Sequence, residues 1–180
     1  MKELSLHILD IVQNSISAKA TEISITIVED TEKDILSIEI RDNGVGMGPD
    51  KLKRATDPFM TTRETRKVGL GLSLFKASAE QCNGFFLLSS EPYVGTCVYA
   101  SFQKSHIDRV PLGNIADTLV TCIHANDKID YLYNHFYNGQ KFSLDTKEIK
   151  RITGELSISS IEVITWIKAY IQEGIEEIYK

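Results

Sequence analysis

The feature that most restricts what this chain can fold into is an alternating apolar run that ends in glycines. Leu36, Ile38 and Ile40 alternate with polar residues and lead into Asp42-Asn43-Gly44-Val45-Gly46-Met47-Gly48. Period-2 alternation is the pattern of a half-buried strand. Glycines at its end let the backbone take positive φ and let another group approach the main chain closely. A second glycine pair, Gly69-Leu70-Gly71, stands just before a helical pattern over 72–81. Free N–H groups feeding a helix N-terminus form a cradle for an anion such as phosphate. Either loop alone would serve equally well as a simple turn.

The surrounding segments predict a mixed α/β unit. Residues 4–20 carry Leu4, Ile8, Ile11, Val12, Ser15 and Ile16 at helical spacing, with His7, Asp10, Asn14 and Ser17 on the opposite stripe. Ser5 is the expected N-cap. Ile23-Ile25-Ile27 predicts a strand before the one at 36–40, and 85–89 and 96–102 predict two more after the glycine loops. Beyond about residue 103 the glycine loops stop. Local signals there predict a helix over 114–124, a hairpin turning at Asn138-Gly139, and a final helix with Ile161, Ile164, Ile167, Ile171, Ile175 and Ile178 on its apolar side. Asp145-Thr146-Lys147-Glu148 and Ser159-Ser160-Ile161-Glu162 match capping boxes. The expected organisation is one larger unit at 1–103 and a smaller α+β accessory region at 104–180.

Charge and cysteine usage narrow the partners. A net charge of −5 leaves no basic stripe for a phosphate backbone, which argues against nucleic acid. No apolar run reaches the roughly 20 residues that span a bilayer. Cys82, Cys97 and Cys122 are far apart and form no C-x-x-C pair, as expected of reduced thiols in a cytoplasmic protein.

Asp10 and Asn14 stand four apart and so share one helix face. An amide oxygen suits a hard cation such as Mg²⁺, and a carboxylate one turn away can orient or deprotonate a group attacking a phosphate. A solvated helix face is the alternative for the pair in isolation. The order of boxes is more telling: Asp10-x-x-x-Asn14-Ser15, Asp42-x-Gly44-x-Gly46, Pro58-Phe59-Met60-Thr61-Thr62-Arg63, Gly69-Leu70-Gly71-Leu72, then Gly95-Thr96. Over residues 4–102 this resembles the ATPase superfamily of histidine kinases, DNA gyrase, heat-shock-90 chaperones and mismatch-repair proteins, the Bergerat fold.

The resemblance implies an α+β fold, a two-layer sandwich of mixed sheet with helices on one face, carrying a small C-terminal α+β appendage. It implies ATP and Mg²⁺ as cofactors. Asn14 would hold the metal, and Asp42 would accept from the adenine amino group with help from Thr96. Gly44 and Gly46 would shape the adenine pocket, and Gly69 and Gly71 would meet the phosphates beneath a lid at 57–68. Arg63 and Lys67 are candidates to reach the β- or γ-phosphate by charge complementarity, with a solvated basic loop as the alternative. Asp10 takes the catalytic position, where the family usually has glutamate. The shorter side chain implies slow hydrolysis or an acceptor held closer. The helical hairpin that carries the phosphorylated histidine in ordinary histidine kinases is not expected here, because the chain starts almost at the first box. His7 is not expected to replace it, since a helix cannot bend to present it in line with the γ-phosphate. Transfer to an unidentified protein phosphoacceptor in trans is the expected activity, on the pattern of the stand-alone kinases that phosphorylate anti-sigma-factor antagonists. An ATP-driven switch closing a homodimer and a non-catalytic nucleotide sensor remain the alternatives.

Overall fold

The computed structural model describes residues 2–57 and 70–180. Among these residues, six strands form one mixed sheet in the order β3-β4-β2-β1-β5-β6. They are β1 (Glu22–Asp30), β2 (Ile35–Asp42), β3 (Phe86–Glu91), β4 (Gly95–Gln103), β5 (Asp130–Tyr137) and β6 (Gln140–Asp145). The β1–β5 pairing is parallel and the others are antiparallel. The helices are α1 (Leu4–Ser17), α2 (Pro49–Arg54), α3 (Leu70–Gln81), α4 (Ile115–Ala125), α5 (Thr146–Thr153) and α6 (Ile161–Ile178).

Register explains which sheet face is covered. Ile23, Ile25 and Ile27 lie beside Asp42, Ile40 and Ile38 on one side and beside Tyr131, Tyr133 and His135 on the other. Partners in a ladder point to the same face, so these residues form one layer, apolar except for Asp42 and His135 and continued by Val98, Ala100 and Phe102 of β4. Leu4, Ile8, Ile11 and Val12 of α1 and Leu72, Phe75 and Ala79 of α3 are buried in the same core. Phe75 meets Phe86 and Phe102 edge-on or tilted, in the manner aromatic pairs prefer. The opposite face carries Ser24, Thr26, Glu39 and Arg41 and stays open, with Glu39 and Arg41 paired across it.

The tail is continuous with this sheet. Strand β5 pairs along the whole of β1, so residues 130–145 add two strands to the sheet the first hundred residues begin. Asn138 and Gly139 both take positive φ, as the predicted hairpin turn requires. Asn114 caps α4 by accepting from Asp117 N at 3.0 Å, and Asp145 caps α5 by accepting from Lys147 N at 2.8 Å.

Three local expectations are corrected by tertiary contacts. Ser5 does not cap α1. Leu4 N and Ser5 N instead donate to Pro111 O and Leu112 O, carbonyls brought from the tail. The cap of α6 is Ser160, one residue later than the box, because Ser159 Oγ is taken by Asp127 at 2.8 Å. Ile161 is 86% exposed, and Val163 replaces it in the buried stripe with Ile167, Ile171 and Ile178. Among the described residues, no helix is long and apolar enough to cross a membrane.

Candidate nucleotide site

The glycine loop after β2 is clamped from both sides. Asn43 Oδ1 accepts from Thr21 N at 2.8 Å and Glu22 N at 2.9 Å, and Val45 N donates to Ala18 O at 2.8 Å, which ties the loop to the end of α1. Tyr93 N donates to Val45 O at 2.7 Å, which ties it to the β3–β4 hairpin. Gly46 sits at φ +65, where a side chain would also run into the Glu91 carbonyl. Gly95 opposes Asp42 so closely that a Cβ there would meet the Asp42 carbonyl. These approaches bring β2, β4 and the hairpin together around one carboxylate.

That carboxylate is Asp42, the last residue of β2 and the register partner of Thr96. Its Oδ2 accepts from Ser15 Oγ at 2.6 Å and its Oδ1 from Gly44 N at 2.9 Å. A cavity of about 150 Å³ opens beside it, lined by Asn14, Ser15, Asp42, Gly46 and Thr96 with apolar walls from Ile11, Met47, Leu72 and Val98. An apolar slot with a few fixed polar groups is the usual form of a small-molecule site. A larger depression of about 330 Å³ lies near Glu22, Arg41, Asp130 and Lys147. Its charges are already matched, Lys147 to Glu22 at 2.6 Å and Arg41 to Glu39 at 2.8 Å, so the smaller cavity is the better candidate.

Helix α1 lines this cavity with Asn14, whose carboxamide has no hydrogen-bond partner among the described residues. One turn earlier, Asp10 packs against Gly71 in the first turn of α3, and a Cβ on Gly71 would lie 3.1 Å from Asp10 Cβ. Helix α3 thus begins earlier than the 72–81 expected, with Gly71 inside it. Asp10 keeps much of its surface in solvent, yet the protein atoms around it desolvate its carboxyl enough to raise its pKa. His7 is not on a solvated stripe: it is 3% exposed, stacks on Phe75 at 5.1 Å between centroids, and leaves Nδ1 without a partner among the described residues. Burial lowers its pKa to about 4. Ser17 is exposed and bonds back to Gln13 O.

The structure therefore brings Asn14, Asp42, Gly46 and Thr96 to one cavity, ties Gly44 to it through its bond to Asp42, and sets Asp10 and Gly71 one turn away from it. Arg63, Lys67 and Gly69, and all of the expected lid except Asp57, lie outside the described residues. Two residues were not singled out for chemistry. Ser15 falls within the apolar stripe of α1 and is buried, but its hydroxyl holds Asp42. Ser90 carried no sequence signal, being one serine of a pair at a strand end. Its Oγ accepts from Met47 N and lies 2.8 Å from Thr96 Oγ1.

Residues 2–106 match the family model described as histidine kinase-, DNA gyrase B-, and HSP90-like ATPase. The chain is 36% identical over 94 residues to the sensor protein DegM of Bacillus sp. (strain B21-2), covering 52% of this chain and 25% of DegM. It is 42% identical over 65 residues to sporulation kinase E of Bacillus subtilis (strain 168), covering 36% of this chain and 9% of that kinase. The chain thus spans a quarter or less of these curated relatives. Among solved structures, the ATPase domain of Aquifex aeolicus MutL complexed with ADP superposes with a TM-score of 0.53 at 15% identity, covering 94% of this chain and 69% of that one. This likeness concerns the fold, and its coverage reaches well past residue 106 into the tail.

Proposed function

The chain belongs to the histidine kinase-, DNA gyrase B-, and HSP90-like ATPase family, and on that premise we propose that it binds Mg-ATP in the cavity at Asp42 and passes the γ-phosphoryl group to a partner protein in trans. The observation that carries this reading is the Asp42 carboxylate, held at the cavity by Ser15 and Gly44 with Thr96 in register beside it. An ionised carboxylate only accepts hydrogen bonds, so the cavity offers acceptors to the adenine amino group between apolar walls.

Asn14 would hold Mg²⁺, because its carboxamide, which has no hydrogen-bond partner among the described residues, carries the hard oxygen ligand this ion takes. No group of three or more His, Cys, Asp or Glu side chains among the described residues could hold a metal. When bound, Mg²⁺ supplies neutralisation of the charge on the phosphates. Asp10 is the candidate base. Its raised pKa makes it a better proton acceptor for the attacking group, at the N-terminal turn of α3 where backbone N–H groups favour phosphate. Gly71, with Gly69, Arg63 and Lys67 from the segment before α3, would complete the phosphate site. We assign these roles to residues 1–103 and an accessory role to 104–180, in a cytoplasmic protein whose three cysteines are free thiols.

The alternative of a nucleotide sensor with little chemistry rests on aspartate at position 10. Incubation with Mg²⁺ and γ-labelled ATP, with Asn14→Ala as control, separates the readings. Label leaving ATP, as phosphate or onto protein, with a silent control supports catalysis, and acid lability then distinguishes phosphohistidine from phosphoserine. Tight binding of intact ATP, unchanged when candidate partners are added, would leave the sensor. No binding at all would end both.

A further inference from the structure

The cavity holds more information than its acceptors alone, because the hydrogens around Ser90 can be counted. Among the described residues, Ser90 Oγ has three polar neighbours: Met47 N at 2.8 Å, Gly95 O at 2.9 Å and Thr96 Oγ1 at 2.8 Å. Met47 N can only donate and Gly95 O can only accept. The single Ser90 hydrogen therefore goes to Gly95 O, and the Ser90–Thr96 bond forms only if Thr96 donates to Ser90. This is the one arrangement that satisfies all three contacts. It uses the only hydrogen of Thr96 and leaves that hydroxyl with lone pairs alone facing the cavity. The Asp42 carboxylate beside it already accepts from Ser15 and Gly44.

We infer that Ser90 is a positioning residue for base selection: by taking the Thr96 hydrogen it makes the wall next to Asp42 acceptor-only, so the site admits a 6-aminopurine nucleotide and rejects a 6-oxopurine one. The inference rests on the nucleotide reading above and deepens it. A 6-amino group brings two N–H donors to that wall. A 6-oxopurine could still give Asp42 its N1–H. Its O6 would then sit beside Thr96 and need a donor there, and Ser90 withholds it. Asp42 alone does not close that second pose. Gly95 keeps the geometry, since its close approach to the Asp42 carbonyl holds Thr96 and Asp42 side by side.

The test measures Mg²⁺-dependent affinities for ATP and inosine triphosphate in the wild-type chain, Ser90→Ala, Ser90→Thr and Thr96→Val. In Ser90→Ala the Thr96 hydroxyl is free to turn and donate to O6. The preference for ATP should then shrink by about tenfold, the worth of one hydrogen bond gained or lost. Ser90→Thr, which keeps the hydroxyl, should retain the wild-type preference. Thr96→Val removes the unmatched acceptor itself and should also shrink the preference, which keeps the idea testable if Ser90→Ala does not fold. A purely structural Ser90 would weaken both nucleotides alike. An unchanged ratio in folded Ser90→Ala, or in Thr96→Val, overturns the inference while leaving ATP binding intact. A wild-type chain that binds neither nucleotide defeats the nucleotide reading itself.

Discussion

Glu29 offers the sharpest test of how the tail is joined to the rest of the fold. Its side chain is 5% exposed. It accepts from Lys104 Nζ, from Tyr179 Oη at the end of α6, and is bonded to His135 Nε2 of β5 at 3.0 Å. His135 Nδ1 in turn meets Tyr133 Oη at 2.7 Å. Burial by itself would raise the Glu29 pKa, but the bonds from His135, Lys104 and Tyr179 overcome it and bring the carboxyl down to about 2. Glu29→Ala strands a lysine, a histidine and a tyrosine without their acceptor. Removing one partner of a buried ion pair costs about 3–5 kcal/mol. With a urea slope of about 2 kcal/mol/M, the midpoint should fall by about 2 M. Glu29→Gln keeps one acceptor oxygen and should lose about half as much. The sign of the pH dependence follows from the depressed pKa. The Glu29 contribution is complete above about pH 4.5, the ordinary glutamate value, and is lost as pH falls from there toward 2. Equilibrium urea unfolding of the three proteins at pH 7 and pH 3 measures both effects. ATP affinity should not change, because six residues of strand, about 20 Å, separate Glu29 from the Asp42 end of the sheet. A midpoint shift below about 0.5 M for Glu29→Ala at pH 7 would refute the claim that this cluster is desolvated and binds the tail to the sheet.

Three further outcomes are expected. His7 has its pKa lowered to about 4, below its ordinary 6.5, so the native state resists its protonation. Stability should be full above about pH 6.5 and fall by about 3 kcal/mol as pH drops to 4. His7→Leu should flatten that window in thermal melts. Gly46→Ala forces an L side chain to φ +65 and into the Glu91 carbonyl. It should cost at least about 2 kcal/mol and abolish nucleotide binding by calorimetry. Asp42→Asn should fold, because its amide oxygen can still accept from Gly44 N and Ser15 Oγ already reaches Ile11 O at 3.3 Å. Its ATP affinity should drop about 10- to 100-fold, the loss of a charge-assisted hydrogen bond. Wild-type affinity in this variant would remove Asp42 from the adenine role.

The strands and most helices were legible because their signals are short-range. Alternation marked 36–40, Asn138-Gly139 marked its hairpin, and Asn114 and Asp145 marked helix starts within a few residues of where they act. Long-range partners were not legible. Ser5 looked like a cap because nothing local shows that Pro111 and Leu112 supply the carbonyls for Leu4 N and Ser5 N. His7 looked solvated because helical spacing gives the angle of a side chain on α1, while only the docking of α3 decides that Phe75 covers it. The glycine loops stop near residue 103, and no local signal shows the parallel β1–β5 pairing that joins segments from its two sides.

For the candidate site, sequence alone determined the kinds of groups present and their order: a carboxylate at a strand end, glycines that can turn after it, an amide one helical turn beyond an acid. Those properties belong to single residues and near neighbours. The tertiary structure decided which groups meet and in what protonation pattern. Ser15, Asp42, Ser90 and Thr96 come from α1, β2, β3 and β4, and only β2–β4 pairing and the clamped glycine loop place them around one cavity. The direction of the Thr96 hydroxyl is set by a hydrogen count over Met47, Ser90 and Gly95. Such a count needs three-dimensional neighbours, because a hydroxyl donates or accepts according to what surrounds it.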